Sequence, residues 1–336
     1  MKGYRKYYGQ KLLWYLVTFI FALFLNFILP RMMPGDPIAA MVANAVGYAA
    51  DASAFERMER EFIERFGLDR PLHVQFGIYI RNVLRGDLGT SILQHPRQVT
   101  DIIRESVIWT VALQIPAIIT GWIIGNALGA IAAYLKGGFD KGLMPLFMFI
   151  SNIPAFGLAI IMLWIFAVNL SWAPIGGGFA FDMVPHLSWD FVRSLIRHYQ
   201  LPFWTIVTIA IGGQAIGMRS MSIYELNSDY VKYSRFLGIK DHTIIRYVFR
   251  NAMLPQITGL AFALGGMIVG NLVAELVFNY PGIGTTLMGA IRGGDFPLIS
   301  GLTLIITIMI LIANLVIELI YGLLDPRIKA AQQDTQ

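Results

Sequence analysis

Six stretches of this chain, residues 12–30, 106–135, 143–168, 199–218, 251–274 and 296–317, contain no Asp, Glu, Lys or Arg. Each comes close to or exceeds the roughly 20 residues a helix needs to cross a hydrocarbon core about 30 Å thick. In lipid every backbone polar group must be satisfied internally, and for runs of this length only helices do that. The expectation is an all-α membrane protein with six transmembrane helices. Composition agrees: 56% of residues are hydrophobic and 14% charged, against about 25% charged in soluble domains.

The first run follows Lys2, Arg5, Lys6 and Lys11 and ends in Pro30-Arg31-Met32-Met33-Pro34. It is too long for a signal-peptide core and lacks a small-residue cleavage site, so it reads as a retained span. Six spans put both termini on one side. Lys136, Lys141, the six basic residues from Arg219 to Arg250, Arg327 and Lys329 share that side, which the positive-inside tendency makes cytoplasmic. The expected organisation is a cytoplasmic flank and first span (1–30), a helical extracytoplasmic subdomain (31–105), a five-helix core (106–322) and a cytoplasmic tail (323–336). In the subdomain, Ser53 and Glu56 fit a capping box ahead of an apolar stripe of Phe55, Met58, Phe62 and Phe66 that ends at Gly67. Glu56 with Arg60, and Glu61 with Arg65, are spaced as helix-surface ion pairs. A second helical run, 74–84, ends at Gly86. The subdomain either packs over the span tips or meets a soluble partner.

The one long polar interruption in the C-terminal half, 225–255, carries Lys232, Arg235, Lys240, Arg246 and Arg250 against Glu225, Asp229 and Asp241. Tyr230, Tyr233, Ser234 and Leu237 fall at helical spacing, as do Ile245, Val248, Phe249 and Ala252. Gly238 separates the two runs and Asp241 suits an N-cap. Two short amphipathic helices joined at a glycine either lie on lipid headgroups or dock a partner.

Within the spans, Gly121, Gly125 and Gly129 stand four apart, as do Gly213 with Gly217 and Gly266 with Gly270. Such stripes serve close helix packing inside the chain or a subunit interface. Pro116, Pro145, Pro154 and Pro202 bend helices wherever they lie inside them.

Chemistry is sparse. With no cysteine, disulfides and zinc–thiolate sites are excluded. His73, His95, His186, His198 and His242 form no HExxH and no metal-ligand spacing, and no GxSxG surrounds a span serine. Catalytic and metal-binding residues are therefore expected to be none. No aromatic–basic interleaving suits nucleic acid. Glu275 and Glu318 stand near span ends, leaving amides (Gln114, Asn126, Gln214, Asn271, Asn314) nearer the midplane. Interhelical hydrogen bonding is one role for them; lining a polar path is the other, with Gln114, Gln214 and Asn271 as candidates. No Gly-Lys dipeptide occurs, so no P-loop holds nucleotide phosphates.

The run from Asp229 to Thr258, the later stretch AELVFNYPGIG followed by GGDFPLISG, the early LPRMMPGDP and GDLGTS, and the closing YGLLDPRI together resemble permease subunits of binding-protein-dependent ABC importers, specifically the dipeptide/oligopeptide/nickel permease family. The resemblance covers nearly the whole chain and implies a type I importer permease fold in a bacterial or archaeal plasma membrane. It implies a non-catalytic permease subunit coupled through 225–255, the family's EAA loop, to two ATPase subunits that bind ATP and Mg. A second homologous permease and an extracytoplasmic substrate-binding protein complete the set. The EAA-loop glycine falls on Gly238 and the closing Leu-Pro on Leu254-Pro255, while Lys232, Tyr233 and Ser234 stand at the nominal Glu-Ala-Ala positions, a departure from the general importer pattern. Tyr230, Lys232, Tyr233, Ser234, Gly238, Ile239, Asp241, Arg250 and Pro255 are the expected coupling residues. Peptide, oligosaccharide and nickel remain as cargoes, the lack of span His or Cys weighing against nickel. A secondary carrier or channel working without ATPase partners is the alternative function.

Overall fold

A computed structural model describes residues 2–32, 60, 70–135, 137–186, 188–270 and 272–324. The capping box and apolar stripe expected at residues 53–67 lie outside the described residues, as does Asn271. Among the described residues the structure is helical, with one isolated bridge between Thr90 and Gln98 and no strand. The helices are α1 (Lys2–Met32), α2 (Leu72–Leu84), α3 (Val99–Leu135), α4 (Gly137–Asn152), α5 (Ala155–Met162) continuing into a π-helical stretch (Leu163–Asn169), α6 (Trp189–Leu226), α7 (Asp229–Phe236), α8 (Asp241–Gly270), α9 (Leu272–Val277), α10 (Ile283–Gly293) and α11 (Phe296–Leu324).

Among the described residues, four helices (α1, α3, α6 and α11) are long and apolar enough to cross a membrane, and a fifth span is counted if α4 and α5 with its π-helical stretch are taken together. The run expected as one span over 143–168 is broken within this pair, whose axis turns by 104° at Ile153-Pro154. Pro154 stands just ahead of α5 and cannot donate a backbone N–H to continue α4. Pro116, Pro145 and Pro202 instead lie inside continuous helices. The run 251–274 is carried by α8 and α9 on either side of position 271. Helices α3 and α6, with 37 and 38 residues, are about 56 Å long. They start well before their uncharged runs, since Asp101, Arg104, Glu105, Asp190, Arg193 and Arg197 end the apolar pattern without ending the helix. Ser188 caps α6 by accepting from the Phe191 N–H at 3.2 Å.

The described residues group into two compact units. One takes α1, α2, the start of α3, α10 and α11 as far as Ile312; the other runs from Trp109 to Pro281 and takes α11 from Ala313. In the first, Phe27 of α1 packs against Phe76 and Tyr79 of α2. The Asn26 amide donates to the Ser300 carbonyl at 2.8 Å, and Thr303 donates to Asn26 Oδ1 at 2.6 Å. Asp295 is buried and caps α11 through the Leu298 N–H at 3.1 Å. Its other oxygen accepts from the Ser91 hydroxyl and from the Ile92 and Leu93 N–H groups.

In the second unit the Gly121–Gly125–Gly129 stripe lies on α6. A Cβ at Gly121 would stand 2.5 Å from Ala210 Cβ, at Gly125 2.7 Å from Gln214 Cβ, and at Gly129 2.3 Å from the Ala215 carbonyl oxygen. The stripe therefore serves packing within the chain. At Gly213 and Gly266 no described residue stands within 4 Å of where a Cβ would project. Leu113, Ala117, Ile118, Ile206, Val207, Ala274 and Tyr280 form a core between α3, α6 and the segment after α8. Asp140 and Arg219 join α4 to α6 in a bidentate pair at 2.5 and 2.6 Å.

Candidate coupling elbow and buried polar residues

Between Leu226 and Pro255 the chain builds a two-helix elbow with its own small core. Val231, Ile244 and Val248 are buried there, with Leu226, Tyr230 and Ile239 packed against them. The buried residue of α7 is thus Val231; of the helically spaced Tyr230, Tyr233, Ser234 and Leu237, Tyr230 packs against this core, Ser234 is half-buried, and Tyr233 and Leu237 are exposed. Glu225 ties the start of the elbow together: its Oε2 accepts from the Tyr230 hydroxyl at 2.7 Å and from the Asn251 amide at 3.4 Å. Burial, and then the bond to Glu225, raise the Tyr230 pKa above the usual tyrosine value. The stabilisation is present below the ordinary tyrosine range and is lost as pH rises through the raised value, so the clasp holds at neutral pH.

Gly238 terminates α7 with φ +70°. The Gly238 N–H donates to the Arg235 carbonyl at 3.0 Å and the Ile239 N–H to the Ser234 carbonyl at 3.1 Å, the paired bonds of a Schellman cap. This left-handed conformation is the one glycine adopts without Cβ strain. Asp241 is the first residue of α8, and the Lys240 carbonyl accepts the first bonds from Thr243 and Ile244. The Asp241 carboxylate thus acts within the first turn on the positive helix end instead of capping it.

Of the expected coupling residues, Lys232, Tyr233, Gly238, Asp241, Arg250 and Pro255 are exposed, while Tyr230, Ser234 and Ile239 are half-buried. The expected coupling residues did not include Phe236 and Leu237, 87% and 77% exposed, although Leu237 falls in the helically spaced set. They directly precede the terminating glycine, where no further turn remains to cover them, and that position was the available signal. The elbow presents an apolar tip flanked by Lys232, Arg235 and Lys240. The Lys232–Asp229 pair at 2.9 Å is exposed on both sides and adds little.

The amides divide by neighbour. Gln114 is fully buried and donates to Glu275 Oε1 at 3.1 Å, and the Thr110 hydroxyl donates to the same oxygen at 2.7 Å. Glu275, read from its position as a span-end residue, has no exposed surface. Among the described residues Gln114 Oε1 has no hydrogen-bond partner. Gln214 is half-buried with its Cβ against Gly125, and the buried Asn126 donates to the Trp122 carbonyl at 2.7 Å. Among the described residues no group of three or more His, Cys, Asp and Glu is placed to hold a metal ion.

Residues 125–330 match the family described as binding-protein-dependent transport system inner membrane component. The glutathione transport system permease protein GsiC of Salmonella typhimurium is 32% identical over 325 residues, covering 96% of this chain and 98% of that protein. The di/tripeptide transport system permease protein DppB of Pseudomonas aeruginosa is 29% identical over 93% of this chain and 95% of its own length. The oligopeptide transport system permease protein AppB of Bacillus subtilis is 29% identical over 91% and 93%.

Proposed function

Given that the chain belongs to the family of binding-protein-dependent transport system inner membrane components, we propose that it forms half of the translocation pathway of an ATP-driven importer of short peptides. It is a multi-pass membrane permease subunit. Peptide cargo is supported by relatives named for glutathione, di/tripeptides and oligopeptides; none of these three names carries nickel or an oligosaccharide.

The observation that carries the coupling role is the rigid elbow with its exposed apolar tip. Phe236 and Leu237 project beside a Schellman-capped glycine, among cations, in a segment held by its own core. An apolar tip of this kind fits a groove on a partner, and the surrounding cations fit an acidic rim. We assign that groove to two ATPase subunits, which bind ATP and Mg; the permease supplies no catalytic group. A second homologous permease completes the pathway and an extracytoplasmic binding protein delivers cargo. On this reading 225–255 and both termini are cytoplasmic, the 31–105 segment is extracytoplasmic, and Gln114, Gln214 and Asn271 are pathway candidates.

Force reaches the spans through covalent continuity. α8 runs unbroken from Asp241 at the elbow to Gly270, about 45 Å. The Trp122 indole N–H donates to the Gln256 carbonyl at 2.9 Å, linking α8 to α3. When ATP draws the two ATPase subunits together, the elbows follow and the spans reorient to accept cargo. Co-purification with the products of neighbouring genes, followed by reconstitution, tests the reading. ATP-dependent peptide uptake requiring the binding protein is expected; ion-gradient-driven uptake by the chain alone contradicts it and supports a secondary carrier.

A further inference from the structure

The bend at Pro154 creates an apolar element that does not behave as a span. α5 and its π-helical stretch comprise 8 and 7 residues, about 22 Å of helix, against a hydrocarbon core of about 30 Å. Their axis lies 104° from that of α4. With α4 along the membrane normal the next segment lies about 76° from it and changes depth by about 5 Å; at the average span tilt of about 20° it stays at least about 56° from the normal and changes depth by no more than about 13 Å, short of a crossing.

One side of this segment is packed: Ala159 and Ala167 lie in a core with Leu201 and Phe278. The other side carries Phe156, Ile160, Trp164 and Val168, spaced four apart and each about half exposed. This stripe continues the exposed apolar face of α4, which includes Leu146 and Phe149. Beyond Asn169 the chain stays apolar, and residues 142–181 contain no Asp, Glu, Lys, Arg or His. Trp172 and Phe181 are exposed although the loop is held firmly at its base. The Gly177 N–H donates to the Phe278 carbonyl at 2.9 Å and the Ala180 N–H to Ser194 Oγ at 2.8 Å. Gly176 approaches Phe278 so closely that a Cβ would stand 2.5 Å from its carbonyl oxygen. These side chains are therefore displayed from a fixed support.

We propose that residues 155–181 form an interfacial element lying nearly in the membrane plane, at the end of α6 opposite the elbow. The Phe156–Val168 stripe rests on acyl chains and Trp172 sits at headgroup level. Lipid is the occupant because the exposed surface is continuous with that of a membrane-embedded helix, carries no charge, and ends in aromatics that suit the interface.

The natural absence of cysteine permits a direct test. Ile160→Cys, Trp164→Cys and Val168→Cys are spin-labelled one at a time in the full chain within its assembled complex, in phosphatidylethanolamine/phosphatidylglycerol liposomes. Collisions with oxygen and with a water-soluble nickel chelate then give depth. The proposal expects all three labels to be open to oxygen, shielded from nickel, and within about 5 Å of one another in depth. Ile20→Cys in the exposed face of α1 serves as a spanning reference. A depth change near 12 Å between positions 160 and 168, the helical rise of an upright rod, overturns the proposal. So does exclusion of both reagents, which places a second protein subunit on this face.

Discussion

Gly238 separates two contributions that a single substitution confounds. Its φ of +70° penalises any L side chain, by about 1–2 kcal/mol, while no described residue stands within 4 Å of where a Cβ would project. Gly238→Ala and Gly238→Trp should therefore lower thermal stability by similar amounts, measured on purified protein in detergent. Only the tryptophan fills the space kept for a partner, so only Gly238→Trp should leave ATP hydrolysis running without uptake; equal uptake in both variants contradicts the docking role. Gly238 was legible in the sequence, because a glycine set between two amphipathic runs marks the end of the first helix. Glu275 was less legible. Its position suggested a span end, and its bonds come from Thr110 and Gln114, more than 150 residues earlier, which local spacing cannot reveal. Glu275→Ala removes the acceptor oxygen that the Thr110 hydroxyl and the Gln114 amide share and should destabilise by about 2–5 kcal/mol. Glu275→Gln retains an acceptor oxygen and should cost clearly less. Thermal unfolding compares the two, and equal losses refute this account of the site.

At the scale of elements, four of the six uncharged runs fall on continuous helices and a fifth is shared between α8 and α9, because a lipid-facing backbone has no other way to satisfy itself. The helix ends were less accessible, since charged first turns in α3 and α6 break the apolar pattern while hydrogen bonding continues. Pro154 was one of four prolines named as possible bends, and the sequence did not separate the one at the break from the three inside helices. The glycine stripe of α3 carries a sharp prediction. Gly129→Val would drive a side chain into the Ala215 backbone, which cannot yield without separating α3 from α6. Gly266→Ala, where no described residue stands within 4 Å of the added Cβ, should be well tolerated by the isolated chain. Fluorescence-detected size-exclusion chromatography should show loss of the monodisperse peak for the first and retention for the second; similar profiles mean that the stripe does not set the α3–α6 approach.

For the whole molecule, fold class and membrane character follow from hydropathy, and the two compact units do not. Each is assembled from segments far apart in the chain, and contacts such as Asn26–Thr303 and Ser91–Asp295 close over more than 200 residues. No local pattern announces such closures. The central claim is that a separate motor acts on this permease through the elbow. Its most direct measurement is crosslinking from Phe236→Cys in the complete complex, in a chain with no competing thiol. The account predicts a specific crosslink to an ATPase subunit whose yield changes on nucleotide binding, together with protection from impermeant thiol reagents in intact cells. Labelling from outside the cell, or no crosslink to any nucleotide-binding subunit, would contradict it.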